Sequence, residues 1–484
     1  MRSVQSVLRT GAAVFGVAAL MGTMVPVAAQ ETAGAVKLLQ QLLRFDTSNP
    51  PGKTLEEVTF LKKTFDEAGI ENEIIKTPKE GVAHFIARLK GDGSKAPILL
   101  AAHSDVVPVE RQTWSVDPFA GEIKGDYVLG RGAMDFKGGQ AVFVQAVLDL
   151  KKSGIALSRD VIFLAEADEE SGDYGTDWLA KNHWEKIKAE FVLNEGGWIF
   201  QDKNGVARQV NITTRDKIYA GLRLRVVGTP THSSRPQPDS AIGKLTRALA
   251  KISTWDTEPT LTDQTKAYFK ALASSASGQM KSDLETLASS SDTSALKEAG
   301  ERVSATGDYP LLWHALMRNT VAPTIVKAGV KENVIPGSAE AYVNIRLIPG
   351  STPWDVQQQV EKVVADPDVK ISVDTTMNEA DARAYYKERT EAQASPTDTP
   401  LFKALEKAAK KTWPEAAVVS ALFEAGTDAS AWRDRGIPVY GIYPYPLDNE
   451  TLERMHGNDE RVAVKSLEEG TAFIHDMLID VAAK

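Results

Sequence analysis

Three short apolar segments of this chain each run directly into acidic or histidine residues. Apolar runs of this length are typical of buried strands in an α/β sheet. Ligands of such sheets bind beyond the carboxyl ends of the strands. The sequence therefore predicts an α/β fold that gathers polar side chains at one sheet edge. The segments and the residues that follow them are 98–102 with His103 and Asp105, 161–165 with Glu169 and Glu170, and 191–193 with Glu195.

The middle of the chain has a different pattern, and 484 residues are too many for one core. A strand, a helix, two strands, a helix and a strand follow one another in the order of a ferredoxin-like α+β sandwich. Polar helical sequence at 262–302 lengthens this segment, and α/β sequence returns near residue 392. The sequence predicts four segments, namely a signal peptide at 1–29, an α/β domain in two segments at 30–216 and 392–484, and between these an inserted α+β domain at 217–391 with a helical insert.

The N-terminus resembles a secretory signal. Arg2 and Arg9 precede an apolar run without acidic residues, which is followed by Val27-Ala28-Ala29. A positive start, a short apolar middle and small residues at the end are typical of a cleaved signal peptide. We therefore expect an exported protein, periplasmic or secreted, with no stable membrane anchor after cleavage. An uncleaved signal anchor is the alternative, but the run is short for a membrane span.

Composition narrows the classes of partner and metal site. The formal charge of −9 argues against a non-specific nucleic-acid binder, which would need a basic surface. The chain has no cysteine. Any metal ligands must therefore be His, Asp or Glu, which favours zinc, manganese or cobalt over a site built from thiolates.

The clustered carboxylates themselves point to divalent cations. Several anions placed a few Å apart repel one another unless a metal neutralises them. Asp135 lies in a glycine-rich turn, where its two oxygens can bridge a pair of metals. Of the adjacent Glu169 and Glu170, we expect one to be a ligand and the other a general base. Taken singly, each motif has a simpler explanation as a surface polar pair or a solvated acidic run.

In combination, these motifs resemble the co-catalytic zinc family that contains aminoacylase, glutamate carboxypeptidase, acetylornithine deacetylase and succinyl-diaminopimelate desuccinylase. The resemblance extends over the chain that follows the signal peptide. It is strongest to the carboxypeptidase S-like and N-acyl-amino-acid hydrolase branch. The segments that carry the resemblance to this branch are Ala-His-Ser-Asp-Val-Val-Pro-Val at 102–109, residues 114–121 and Gly-Arg-Gly-Ala-Met-Asp at 130–135. Asn-Glu-Gly-Gly at 194–197 and Met-His-Gly-Asn at 455–458 complete the family motifs.

The resemblance implies two zinc ions, with manganese or cobalt as substitutes, and a role for each motif residue. Glu169 would be the general base, and Asp105 would orient His103. The implied metal ligands are His103 and Glu195 for one ion, Glu170 and His456 for the other, and Asp135 as the bridge. The remaining histidines, His84, His183, His314 and His475, match no motif, and we interpret them as structural.

The resemblance implies that 30–216 and 392–484 form the catalytic domain and that 217–391 is an inserted lid and dimerisation domain. This inserted domain also carries residues that match the family. His232 would stabilise the tetrahedral intermediate, in several relatives within the partner subunit's site, so a homodimer through this domain is expected. Asn333 and Arg346 would bind the substrate's free carboxylate and a nearby carbonyl. Gly426 and Thr427 belong to a loop that lines the same pocket. Each residue has a plain structural alternative, as a loop, turn or surface residue.

The sequence therefore predicts an exported, zinc-dependent amide hydrolase. Its substrate would be a peptide or an N-acyl amino acid with a free carboxylate, and the sequence leaves carboxypeptidase and N-acyl-amino-acid hydrolase open. Two alternatives are a di-zinc aminopeptidase and a non-catalytic extracytoplasmic binding protein. The long insertion argues against the first, and the intact base and ligand set argues against the second.

Overall fold

The computed structural model describes residues 34–484, so the predicted signal peptide lies outside the described residues. The strands are β1 (Glu71–Lys76), β2 (Ala83–Leu89), β3 (Ile98–His103), β4 (Glu122–Lys124), β5 (Tyr127–Leu129), β6 (Val161–Glu166), β7 (Phe191–Gln201), β8 (Ala207–Asp216), β9 (Ile218–Val227), β10 (Thr231–His232), β11 (Thr320–Ala328), β12 (Val334–Ile335), β13 (Ser338–Leu347), β14 (Val369–Val373), β15 (Ala417–Phe423), β16 (Val439–Leu447) and β17 (Arg461–Ala463).

The helices alternate with these strands through most of the described chain. They are α1 (Gly34–Leu42), α2 (Leu55–Glu67), α3 (Lys137–Ser153), α4 (Thr176–Asn182), α5 (Trp184–Ile187), α6 (Ala241–Ser253), α7 (Asp263–Ala273), α8 (Gly278–Ser289), α9 (Thr293–Thr306), α10 (Pro310–Leu316), α11 (Pro353–Val364), α12 (Glu379–Glu391), α13 (Pro400–Thr412), α14 (Ser430–Arg433), α15 (Asn449–Leu452) and α16 (Val464–Ala482).

The large sheet has eight strands in the order β1-β2-β6-β3-β7-β16-β8-β15. The pairings β3–β6, β3–β7, β7–β16 and β8–β15 are parallel. The pairings β1–β2, β2–β6 and β7–β8 are antiparallel. The sheet is mixed and largely parallel, which confirms the α/β fold that the sequence predicts. Strands from both ends of the chain therefore lie side by side.

Both faces of this sheet are covered, which explains its apolar strands. All residues of β3 and of β6 are buried. Alternate side chains of a strand point to opposite faces. Accordingly, Leu100 packs into the core under α3, whereas Leu99 packs into a second core with Trp432. Strands buried on both faces read as continuous apolar runs rather than alternating ones.

A second, four-stranded antiparallel sheet has the order β11-β13-β9-β14. In β9 and β13, buried and more exposed residues alternate, as expected for a sheet with one covered face. Helices α6 and α11 supply that cover, through residues such as Leu245 and Val360. The strand order and the two helices on one face are those of the predicted ferredoxin-like sandwich.

The helical segment within the inserted range packs differently from the sequence prediction. The sequence places it in the inserted domain, but the apolar side chains of α7–α10 join the core of the large sheet. Tyr309 stacks on Phe200 of β7, and α7 contacts β15. The face of the small sheet is already filled by α6 and α11, whereas β8 and β15 offer an apolar surface.

Within residues 34–484, no helix combines the length and the apolar character needed to cross a membrane.

Candidate metal centre

Parallel neighbours in the large sheet bring the predicted ligands to one edge. Strand β3 ends at His103, and it pairs in parallel with both β6 and β7. The loop after β6 carries Glu169 and Glu170. Because parallel strands end at the same edge, these side chains meet in space. His456, from the far end of the chain, follows β16 and reaches the same edge.

Glu195 reaches the site in a way that the sequence did not indicate. The sequence predicts a strand that ends at residue 193, but β7 continues to Gln201. Residues 195 and 196 have no partner in β16, because the register passes from Asn194 directly to Gly197. Extra residues in one strand form a bulge, which redirects side chains next to active sites. The bulge presents Glu195 to the site while the strand continues.

Asp135 lies between the two histidines. Its Oδ1 is 3.2 Å from Nε2 of His103, and its Oδ2 is 2.9 Å from Nε2 of His456. Beyond them, Glu195 Oε2 lies 3.4 Å from His103 Nε2, and Glu170 Oε1 lies 3.5 Å from His456 Nε2. The side chains therefore form two halves, which meet at the two oxygens of Asp135.

The donor set of each half fits a divalent cation. In one half the ligand atoms of His103, Glu169 and Glu195 all lie within 4.8 Å of one another. In the other half, the same is true of Asp135, Glu170 and His456. Imidazole nitrogens and carboxylate oxygens without thiolate are the donors of zinc, manganese and cobalt sites. The structure thus brings all five predicted ligands together, and it adds Glu169 to the first half.

Crowding of buried carboxylates also favours bound cations. Burial raises the pKa of Glu195 to about 7. Burial, followed by the charges of Glu195 and Glu170, raises the pKa of Glu169 well above its ordinary value. A neighbouring positive ion reverses this effect, because it stabilises the carboxylate form. The arrangement is therefore one in which metal ions keep the acidic side chains charged.

Asp105 contacts both parts of the site. The ring Nδ1 of His103 lies 2.8 Å from the backbone carbonyl oxygen of Asp105 and 3.7 Å from its carboxylate. That carboxylate accepts the backbone N–H groups of Glu169 and Glu170, each at 3.1 Å. Its hydrogen bonds thus hold the acidic loop, while its backbone orients the predicted ligand His103.

Two further residues complete the site, and sequence patterns did not single them out. The hydroxyl of Tyr443 lies 2.9 Å from Asp135 Oδ1 and 3.1 Å from Glu195 Oε2, so it can donate to either. Glu460 accepts backbone N–H groups of the turn that carries Asp135 and pairs with Arg131. The sequence signals were weak: an aromatic residue in an apolar strand, and an acidic residue close to His456.

The predicted substrate residues of the inserted range lie in two places. His232 is exposed on the short ribbon of β10 and β12, and its Nδ1 lies 2.8 Å from Ser234 Oγ. Asn333 precedes β12 and is also exposed. Nη1 of Arg346 lies 3.4 Å from the position that a Cβ on Gly426 would take. Within the described part of the chain, none of these side chains hydrogen-bonds to the metal-centre residues.

The loop around Gly426 is fixed to the large sheet. Thr427 Oγ1 donates to Asp216 Oδ2 at 2.7 Å, and Asp216 also pairs with Arg433. Arg346 stands with its guanidinium 5.2 Å from the ring centre of Tyr219. No carboxylate among residues 34–484 lies within ion-pair distance of Arg346. The structure thus brings Arg346 and Gly426 together and leaves the guanidinium free for an anion.

Comparisons with known proteins agree with this geometry. The model of peptidase family M20/M25/M40 matches residues 99–480. A probable carboxypeptidase S-like protein of Dictyostelium discoideum is 30% identical over 444 residues, 90% of this chain and 80% of that protein. The N-fatty-acyl-amino acid synthase/hydrolase PM20D1 of Homo sapiens is 28% identical over 432 residues, 84% of this chain and 78% of that protein.

Solved structures show the same fold. An M20 family metallo-carboxypeptidase of Sulfolobus solfataricus aligns with a TM-score of 0.65 at 18% identity, over 93% of this chain and 99% of that one. A Bacillus subtilis protein described as a dinuclear metal-binding peptidase aligns with a TM-score of 0.52 at 14% identity, over 92% and 96% of the chains. The chain therefore belongs to peptidase family M20/M25/M40, as a metallohydrolase of the carboxypeptidase or N-acyl-amino-acid hydrolase kind.

Proposed function

We propose that this protein is an exported hydrolase that requires two zinc ions and cleaves the amide bond to a C-terminal amino acid with a free carboxylate. The observation that carries the proposal is Asp135, whose two oxygens face two imidazoles from distant parts of the chain. The names of the relatives, carboxypeptidase S-like and N-fatty-acyl-amino acid synthase/hydrolase, support this substrate class.

The two groups of side chains support a division of the ligands between two ions. His103 and Glu195 would hold one zinc, Glu170 and His456 the other, and Asp135 would contact both. When bound, two zinc ions supply Lewis acidity toward the attacking water and the scissile carbonyl. Tyr443 would hold the bridging carboxylate in its orientation, since its hydroxyl lies 2.9 Å from Asp135 Oδ1.

Glu169 is the proposed proton carrier. It lies beside His103 and Glu195 but, unlike Glu170, it is not within ion-pair distance of His456 among the described residues. A carboxylate in this place can take a proton from the attacking water and return it to the leaving amine.

Arg346 is the proposed anchor for the substrate's carboxylate. Its guanidinium is half-buried, stands beside Gly426 and has no carboxylate within ion-pair distance among residues 34–484. Arginine offers a planar pair of donors that matches a carboxylate, which lysine does not. We also propose that the inserted domain closes on binding, because among the described residues the exposed His232 and Asn333 make no hydrogen bond to the metal-centre residues.

We further propose that the inserted domain forms a homodimer. Strand β11 is an edge of the four-stranded sheet and exposes the apolar side chains of Ile325 and Val326. Exposed apolar edges of this kind favour association with another chain. Sedimentation of the purified protein tests this proposal, and a monomer at micromolar concentration would contradict it.

A substrate screen with metal analysis tests the main proposal. Purified protein is loaded with zinc and given N-acyl amino acids, dipeptides and the same dipeptides with a blocked carboxyl end. We expect two zinc ions per chain and turnover only of substrates with a free carboxylate. Cleavage restricted to substrates with a free amino end would indicate the alternative aminopeptidase. Tight binding without turnover would indicate the alternative binding protein.

A further inference from the structure

The loop at residues 167–174, here called the base loop, joins β6 to the segment before α4 and carries Glu169 and Glu170. Its second residue, Asp168, has a backbone φ of 69°. A non-glycine residue in the left-handed region is disfavoured and persists only where its surroundings hold it in place. The base loop therefore depends on contacts from other parts of the chain.

His84 of β2 supplies two of these contacts. Its Nδ1 accepts the backbone N–H of Ala167 at 3.0 Å, and its Nε2 donates to the backbone carbonyl of Tyr174 at 2.8 Å. The ring is fully buried and stacks on Trp178, with 5.9 Å between ring centres. A single neutral imidazole thus holds the first and last residues of the base loop. This role differs from the unspecified structural role that the sequence suggested.

Asn49 holds the base loop from the opposite side. Its amide nitrogen donates to Asp168 Oδ1 and to Asp105 Oδ2, both at 2.7 Å. Asp105 in turn accepts the backbone N–H groups of Glu169 and Glu170. Two buried carboxylates would repel each other here without a donor between them. Asn49 supplies that donor and so connects both acidic supports of the loop.

We infer that His84 and Asn49 are positioning residues that fix the carboxylate of Glu169 for proton transfer. The inference rests on the proposed role of Glu169 as the base. Neither side chain contacts the reacting atoms, but together they define where the base loop begins, turns and ends. A displacement of about 1 Å in a reacting group can lower a rate by about 100-fold. Loss of either residue should therefore lower the rate of the chemical step.

The experiment compares zinc-loaded His84→Phe and Asn49→Ala with a matched control. His84→Phe keeps the ring that stacks on Trp178 but removes both nitrogen atoms. The control is Thr54→Val, because Thr54 is equally buried and its hydroxyl bonds Ala83 N at 3.0 Å and Ala83 O at 2.8 Å, next to His84 on β2 but outside the base loop. The control loses a similar number of buried hydrogen bonds.

We expect kcat of both test variants to fall at least ~10-fold while KM changes less than ~2-fold, because ground-state binding is unaffected. Hydrogen–deuterium exchange of the 167–174 backbone amides should accelerate in both, with zinc content unchanged. Thr54→Val should retain kcat and the exchange rates of the base loop. If kcat or the exchange rates of both test variants equal those of Thr54→Val, the inference is wrong.

Two additional variants keep the test decisive. If His84→Phe does not fold, His84→Leu takes its place under the same criteria, because leucine also lacks both nitrogen atoms that hold the base loop. Glu169→Gln tests the proposed base role of Glu169 separately from the positioning role of His84 and Asn49. Activity of Glu169→Gln equal to that of the wild type would overturn the proposed base. An inactive Glu169→Gln beside fully active His84 and Asn49 variants would overturn the positioning role alone.

Discussion

Glu460 binds the backbone of Asp135 across 325 residues of chain, with its Oε1 2.9 Å from the amide nitrogen. The same oxygen accepts the N–H of Met134 at 2.8 Å, and its Oε2 accepts the N–H of Gly132 at 3.1 Å. Arg131 neutralises the carboxylate. The turn that presents the bridging aspartate is therefore held by a residue close to His456, and the two parts of the site are fixed relative to each other.

Glu460→Gln should lower the free energy of unfolding by about 3 kcal/mol, because it leaves the buried Arg131 without its anion. Both side chains are almost completely buried, so solvent cannot replace the lost charge. Urea unfolding of the metal-free protein measures the change. The exposed Glu468→Gln is the control and should change stability by less than about 0.5 kcal/mol. An equal effect of the two substitutions would contradict the prediction.

Tyr443→Phe should weaken zinc binding about 10-fold, since residues that orient metal ligands contribute at this level. The substitution removes only the hydroxyl beside Asp135 and Glu195. Competition with a chelator of known zinc affinity measures the dissociation constant. Tyr440→Phe is the matched control, because Tyr440 is a buried tyrosine of the same strand whose hydroxyl bonds Thr399 and Pro396 instead. Equal affinities for the two variants would exclude the proposed role.

Arg346→Lys should raise KM about 30-fold with a smaller change in kcat, because a charged bidentate hydrogen bond contributes about 2 kcal/mol to binding. Steady-state kinetics on an N-acyl amino acid give both constants. Arg223→Lys, on the neighbouring strand β9 of the same sheet and paired with Asp374, is the control and should leave KM unchanged. A KM of Arg346→Lys within twofold of the wild type would remove Arg346 from the substrate site.

His84 should make the fold sensitive to acid. Burial is the main cause that lowers the pKa of His84 from 6.5 to about 3. His84 therefore binds a proton below about pH 6.5 in the unfolded chain, but only below about pH 3 in the folded protein. Stability from this residue is complete above pH 6.5 and decreases as the pH falls, by about 2 kcal/mol at pH 5. The measurement is the unfolding free energy of the wild type minus that of His84→Phe at several pH values. This difference should decrease as the pH falls. A difference that is flat between pH 7.5 and 5 would contradict it.

Local patterns were sufficient for much of the fold. Residues 98–102 and 161–165 are apolar over a length that suits a strand and not a helix, and the structure forms β3 and β6 there. The ferredoxin-like order followed from periodicity alone. The packing of α7–α10 did not, since a helix sequence shows which face is apolar but not which of two sheets will cover it.

In the site, too, residues within local motifs could be predicted from the sequence, whereas residues that act through partners far away in the chain could not. His103, Asp135 and Glu170 lie in motifs whose neighbours reveal them, and the structure gathers these residues, while their roles as ligands stay predictions. Tyr443 and Glu460 act through partners about 300 residues away, so no nearby residue marks them. The bulge at Glu195 depends on pairing between β7 and β16, which is a property of the folded sheet.

The position of His456 and Glu460 near the end of the sequence has a consequence for biosynthesis. A nascent polypeptide that has not yet reached residue 456 has neither the second imidazole nor the support for the turn at Asp135. Such an unfinished molecule cannot assemble both halves of the centre. Hydrolytic capacity should therefore arise only after synthesis has passed residue 460, and proteolytic removal of the segment that carries His456 and Glu460 should abolish it.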